Sequence, residues 1–377
     1  MDLICFSHLR WDFVFQRPQH LLSRSAKTFR TFYIEEPVFS LNGSGLHVNE
    51  VSRDLYTITP FLPEGLQETE MIQQQHTLLA GFWMEYNIQD YIAWFYTPMA
   101  LPIMEGLPQP VTVVYDCMDE LSGFKFAPPE MHQREQQLIE RADIVFTGGN
   151  SLYEAKKHRH QNIHVFPSSI DKQHFAKARN MHTPPPEQAN LTGPCVGFFG
   201  VIDERMDIDL LNAIAFKRPD WNLILIGPVV KIDPEILPRL TNIHYIGSKD
   251  YSVLPEYLSG WDVALIPFAL NDSTEFISPT KTPEYLAGGV PVVSTAIRDV
   301  VNPYENKGLV CIGRGKDDFI KGIEDSLSLK KSSEWLQSVD DFLQNVSWDD
   351  TWTKMLYQLN EVLFHQKTHS KQQKSYV

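Results

Sequence analysis

The chain has 377 residues, 47 acidic against 33 basic side chains for a formal charge of -14, and 43% apolar residues, which is too long for one small core and predicts two domains. So acidic a surface repels phosphate backbones and argues against nucleic-acid binding, and no run approaches the ~20 apolar residues of a membrane span. Cys5, Cys117, Cys195 and Cys311 lie far apart with no Cys-x-x-Cys pair, which excludes a zinc knuckle or a disulfide framework and fits reduced thiols.

The apolar opening, Met1 to Phe6, is too short for a signal-peptide core and is followed at once by charged residues, so the protein is expected to stay in the cytoplasm. Leu3 to Phe6, Thr31 to Ile34, Tyr91 to Tyr96, Val111 to Tyr115, Ile144 to Thr147 and His164 to Phe166 read as buried strands between helix-period stretches. That rhythm belongs to an α/β parallel sheet. Lys156-Lys157-His158-Arg159-His160 is the densest basic cluster; it reads as a solvated helix end or as a patch for peripheral membrane contact. The run Pro184-Pro185-Pro186 can donate no backbone hydrogen bond, so the domain boundary is placed there.

The same rhythm restarts with Val196 to Phe199, Leu223 to Ile226, His244 to Ile246, Val263 to Pro267, Val290 to Ser294 and Leu309 to Ile312. Two open α/β domains joined in this way form a cleft at the carboxyl ends of two sheets, where ligands bind. From Ser333 the pattern turns helical, with Trp335, Leu336, Val339 and Phe342 and then Trp348, Trp352, Met355 and Leu359 at three-to-four spacing. The polar tail after Gln366 is expected to fray.

The most informative segment runs from Glu275 to Val293. Ser278 is a good N-cap, Pro279 suits the first helical position, and Gly288-Gly289 stop the helix before an apolar strand. A helix start bearing Ser278, Thr280 and the cation Lys281 favours phosphate. Glu284 shares the Lys281 face and could bond the hydroxyls of a ribose whose phosphate the lysine holds; an ordinary i,i+3 ion pair is the alternative.

Pro279-x-Lys281-x-x-Glu284-Tyr285-Leu286-Ala287-x-Gly289-x-Pro291-Val292-Val293 resembles the donor motif of bacterial glycosyltransferases of GT-B fold, in particular the broad retaining group acting on cell-envelope and exopolysaccharide glycans. Val165-Phe166-Pro167-Ser168-Ser169-Ile170-Asp171, Phe198-Phe199-Gly200 followed by Asp207-x-Asp209, and Ser347-Trp348-Asp349 are similar to segments found in that order in the group. The resemblance implies that Lys281 binds the donor diphosphate, Glu284 the ribose, and Arg205, in the loop after Gly200, the leaving phosphate. Two positions depart from the group: Val201 stands where an arginine often follows the loop glycine, and Phe276, beside Glu275, where a glutamate usually touches the transferred sugar. Asp207-x-Asp209 has the spelling of a metal site, but its place before Leu210-Leu211 favours N-capping. No metal is expected, because fixed cations can stabilise a leaving diphosphate.

In the amino-terminal half, the loop after the first strand holds candidates for the acceptor. Trp11 offers a flat face for a sugar ring or packs in the core, and His8 and Arg17 can hydrogen-bond or neutralise an acceptor phosphate. Asp116-Cys117-Met118-Asp119-Glu120 follows another strand. Asp119, which best matches the family position, and then Asp116 are candidates for a general base or a group that orients the sugar. His158, His160 and His164 lack the frame of a metal site and read as surface.

The implied fold is α/β, with two Rossmann-like doubly wound domains facing across a cleft. Residues 1–180 would bind acceptor, 181–194 form a Pro-rich linker, 195–345 bind donor, and 346–377 form a helix and tail crossing back. The implied function is a metal-independent glycosyltransferase, with no cofactor, moving a sugar from a UDP- or GDP-sugar to a glycan or lipid-linked acceptor in envelope or exopolysaccharide synthesis. It would work in the cytoplasm or peripherally at the inner membrane. The alternatives are a non-catalytic GT-B-like subunit that binds nucleotide sugar or glycan, supported by Val201 and Phe276, and a sugar-nucleotide epimerase.

Overall fold

The computed structural model describes residues 1–41 and 43–374. The first domain contains β1 (Asp2–Phe6), β2 (Arg30–Ile34), β3 (Val38–Phe39), β4 (Gly45–Ser52), β5 (Leu55–Leu62), β6 (Tyr91–Phe95), β7 (Thr112–Cys117), β8 (Ile144–Thr147) and β9 (Ile163–Val165). They form one sheet in the order β3-β5-β2-β1-β6-β7-β8-β9, parallel except that β4 runs antiparallel along β5. The second domain contains β10 (Cys195–Phe199), β11 (Asn222–Ile226), β12 (Ile243–Gly247), β13 (Val263–Ile266), β14 (Val292–Thr295) and β15 (Val310–Gly313), all parallel in the order β12-β11-β10-β13-β14-β15. Both sheets are doubly wound: strand order reverses at β1/β6 in the first and at β10/β13 in the second, and crevices form at such reversals.

The apolar runs become strands because helices cover both faces of each sheet, leaving no face for alternating polar residues. Leu223 to Leu225 and Val263 to Ile266 are wholly buried in the second core. The first sheet has a separate apolar cluster on each face. One of them is completed by Trp348, Trp352, Met355, Leu359 and Leu363 of the helix Trp348–Lys374. The chain thus ends on the domain in which it began, pinned by Arg24 to Asp349 at 2.9 Å. The tail expected to fray after Gln366 continues as helix to Lys374; residues 375–377 lie outside the described residues.

Three expectations need revision. The first is the boundary: Ile170, Phe175 and Ala178 already pack in the second core, ahead of the expected linker at 181–194. Arg179 then ties this segment to Asp340 and to the Ala287 carbonyl at 2.9 and 2.7 Å. Second, the first sheet holds three strands, β3, β4 and β5, beyond the apolar runs expected to build it. Third, the basic cluster at 156–160 is not a free patch: Lys156 is buried between Glu120 and Glu135, Arg159 bonds Glu135, and Lys157 bonds Glu154. With its cations paired to carboxylates, this segment presents little net positive charge to a membrane.

Candidate active site

Two strand tips of the second domain approach unusually closely. Gly200 follows β10 with φ +140 and Gly227 follows β11 with φ +142; a Cβ on Gly227 would lie 1.9 Å from the Gly200 carbonyl oxygen. Over Gly200 lies Lys281, so that a Cβ on Gly200 would stand 2.2 Å from Cε and 2.7 Å from Nζ. The ammonium also lies 5.6 and 5.9 Å from the ring centres of Phe198 and Phe268. Burial, with Arg205 nearby, pulls its pKa below the usual lysine value.

The helix carrying Lys281 starts later than its sequence suggests. It spans Lys281–Ala287, with Thr280 before it in helical conformation and making no side-chain cap. Ser278 is not the cap either: its carbonyl accepts a 2.6 Å hydrogen bond from the Ser168 hydroxyl of the first domain, tying the two halves together.

Arg205 is held rigidly. Asp203, itself buried, accepts from Nε and Nη2 at 2.9 and 2.7 Å. Phe268 of the same domain and Phe124 of the first domain lie 5.7 and 5.5 Å from the guanidinium. Phe124 also lies 5.2 Å from the Lys231 ammonium, so one ring of the first domain meets two cations of the second. Asp207 accepts from the Leu210 N–H at 2.8 Å and caps its helix, while Asp209 points to solvent beside Lys316.

On the opposite wall, Asp119 follows β7. Its carboxyl pKa is pushed up to about 6 by burial, against the opposing pull of Arg205, Arg17 and Lys281. No hydrogen bond or ion pair holds the Asp119 carboxylate among the described residues, so it faces these cations across open space. Asp116 is different: it is 0% exposed and accepts from Arg17 Nε and Nη2 at 3.1 and 2.8 Å. Arg17 gives its remaining nitrogen to the Phe166 carbonyl at 2.7 Å. Asp116 is therefore a buried structural partner and not a candidate base. Arg17 lines the cleft but is committed to Asp116 and cannot swing to neutralise an acceptor phosphate.

His8, just past the tip of β1, has a buried Nδ1 without a partner among the described residues. Burial and the nearby Lys231 bring its pKa down to about 4, so the ring is neutral near pH 7 and suits a hydroxyl better than a phosphate. Trp11 offers no platform to a sugar: it is buried edge-on against Tyr33 in the core. An aromatic ring in a loop looks the same in sequence whichever way it points.

Arg17, Asp119, Arg205, Ser278, Thr280 and Lys281 therefore line one cavity of about 540 Å³, open mouth included, between the domains. Gly200 forms the bed under Lys281, whereas Trp11, Asp116, His8 and Glu284 are not in its wall. Glu284 is 6% exposed with no hydrogen bond or ion pair among the described residues, and burial raises its pKa. The Tyr251 hydroxyl, which feels the Glu284 charge, is also buried without a partner. Residues given no role in the sequence reading complete the wall, among them Gln16, Met118, Gly148 and Phe268. Gly148-Gly149 after a strand was the available signal: a Cβ on Gly148 would lie 2.4 Å from the Met118 carbonyl oxygen. Among the described residues no cluster of His, Cys, Asp or Glu has the makings of a metal site.

Residues 193–328, the second domain, match the family Glycosyl transferases group 1. A protein of Bacillus subtilis (strain 168) named as the teichuronic acid biosynthesis glycosyltransferase TuaH is 24% identical over 220 residues, 53% of this chain and 54% of that protein. The chain thus spans about half the length of this curated relative. Among solved structures, the trehalose-6-phosphate protein of E. coli bound with UDP-2-fluoro glucose superposes with a TM-score of 0.71 at 13% identity, covering 96% of this chain and 99% of that one. Sucrose-phosphate synthase of Thermosynechococcus elongatus gives 0.70 at 16% identity, covering 97% and 100%. At such identities the likeness is one of fold: two Rossmann-like domains in the GT-B arrangement.

Proposed function

We propose that this chain, whose second domain matches the group 1 glycosyl transferases and whose fold is GT-B, is a glycosyltransferase. It takes a nucleotide diphosphate sugar, UDP- or GDP-linked, and passes the sugar to a glycan or lipid-linked acceptor in envelope or exopolysaccharide synthesis. It works without a metal, in the cytoplasm or peripherally at the inner membrane.

One observation carries this reading: Lys281 and Arg205 from one domain and Asp119 from the other face a common cavity, none of the three carrying a cross-cleft ion pair. Cleaving an anomeric C–O bond builds negative charge on the departing diphosphate. A rigid guanidinium and a buried ammonium stabilise that charge without reorganising. Glu284, one turn along the helix from Lys281 and without a partner among the described residues, would accept from a ribose hydroxyl, and the buried Tyr251 hydroxyl would donate to one. Asp119 would take the acceptor proton or orient the sugar, and neutral His8 would bond an acceptor hydroxyl.

The test is product analysis with a panel of nucleotide sugars, with and without membrane lipid and glycan extracts. Free nucleotide and an elongated acceptor, both dependent on Asp119, support transfer. Donor converted with no acceptor present identifies an epimerase. Nucleotide bound with no turnover under any condition identifies a non-catalytic binding subunit.

A further inference from the structure

A larger hollow, about 850 Å³ with its mouth, lies wholly in the first domain. It sits beyond the carboxyl ends of β1, β2 and β6: Ser7, Glu35 and Thr97, just past the strand tips, line it, and His8 is the next residue after Ser7. Its walls are the apolar side chains of Phe6, Ile34, Phe39, Met71, Ile72 and Ile103.

Most of its inward polar side chains already hold partners within the protein. Glu35 accepts from Arg10, the Trp11 N–H and the Thr59 hydroxyl at 3.1, 2.8 and 2.8 Å. Ser7 Oγ accepts from the Tyr33 hydroxyl and the Leu9 N–H at 2.7 and 3.1 Å. Thr97 accepts from the Met99 N–H at 3.2 Å, and Gln75 donates to the Met71 carbonyl at 3.3 Å. Arg134, the one cation in the lining among the described residues, is paired with Glu68. Glu36 is exposed at the rim. A sugar pushed inside would leave hydroxyls unpaired, each costing a full desolvation penalty. A phosphate would meet carboxylates and, among the described residues, no free cation.

Resting on the glycosyltransferase reading above, we propose that this hollow holds the hydrocarbon part of an uncharged amphiphilic acceptor. The hydroxyl that receives the sugar would emerge past Ser7 and Thr97 toward His8 and the cleft. The acceptor class is thus a neutral glycolipid or an apolar glycoside, not a free glycan and not one phosphorylated beside the buried group.

The test is calorimetric titration of the full chain, below the critical micelle concentration and without nucleotide, with butyl, hexyl and octyl β-glucoside, phenyl β-glucoside, glucose and octyl phosphate. Affinity is expected to rise two- to about fourfold per added methylene, the upper figure being full burial. It should be negligible for glucose and weaker for octyl phosphate than for octyl glucoside. Tighter binding of the phenyl than of the hexyl compound would identify the hydrocarbon as an aryl group; the reverse order would identify a lipid chain. Ile72→Glu, on a half-buried helix position, should abolish the chain-length dependence, and Ile72→Leu should keep it. Glucose binding as well as octyl glucoside, octyl phosphate binding as tightly as either, or a chain-length dependence that survives Ile72→Glu would overturn the proposal. A nucleotide titration of the same wild-type protein reports separately on the donor site, so either result can fail while the other stands.

Discussion

The end of the Lys281 side chain lies over Gly200, with its Cε 2.2 Å and its Nζ 2.7 Å from where a β-carbon would stand, too close for a methyl group unless the lysine moves. The lysine reaches the cleft through that contact. Gly200→Ala would displace Cε and also force alanine to φ +140, a conformation that costs about 1–3 kcal/mol. The expected result is a 10- to 100-fold loss of nucleotide affinity, the size of a lost charged hydrogen bond. Titration calorimetry reads the affinity, and a circular dichroism melt should show a folded protein with a lowered Tm.

Asp119 gives a pH signature. Burial raises its pKa to about 6, so the carboxylate forms only as pH climbs through that value. If the ionised form acts, kcat/KM falls as pH drops below about 6, with a limiting slope of one proton. Asp119→Asn should remove that limb and lower kcat about 100-fold or more, while nucleotide still binds. An unchanged profile in the Asn variant would take Asp119 out of the reaction.

Arg17 and Asp116 belong to the fold. Asp116→Ala would leave a buried guanidinium unpaired, a change that costs about 3–5 kcal/mol. Its signature is a Tm lower by several degrees, with whatever folded protein remains binding nucleotide at close to wild-type affinity. A catalytic Asp116 would show the opposite pattern, an unchanged melt with lost turnover.

Glu284 is buried without a partner among the described residues, so its charge costs stability. Its folded-state pKa is raised by burial, so native protein holds this proton more tightly than unfolded chain does. Stability is therefore lost as pH rises from the unfolded value through the folded one. Glu284→Gln should raise Tm at pH 8, change it little at pH 4, and weaken nucleotide binding. Measuring melts at both pH values beside a nucleotide titration separates the two effects.

The second domain was the more legible half. All of its strands except the half-exposed edge strand β12 are buried on both faces and read as apolar runs, and the predicted runs overlap all of β10 to β15. The first domain hid its β4–β5 hairpin. Gly45–Ser52 is a half-exposed edge strand with no apolar run, and its turn at Arg53-Asp54 uses Asp54 at φ +61 with no glycine to announce it. In the cleft, Lys281 at a helix start and the carboxylates at and after the end of β7 could be located from local pattern, whereas Arg205, and Asp119 in preference to Asp116, came from the family resemblance. Long-range pairing could be read from neither: Arg17 and Asp116 are 99 positions apart, and nothing near either shows that they satisfy one another. The orientation of Trp11 and the apolar hollow beside β1 and β6 likewise exist only once the sheet is assembled.

The most direct measurement is calorimetric titration of UDP, GDP and their sugars into the wild-type protein, Lys281→Ala and Arg205→Lys. One nucleotide family should bind the wild type with a single site per chain. Loss of the Lys281 ammonium should weaken that binding 10- to 100-fold, and loss of the Arg205 fork, which a lysine cannot reproduce, about tenfold or more. No binding by any of these nucleotides, or full-strength binding to Lys281→Ala, would contradict a donor site built on Lys281 and Arg205 across from Asp119.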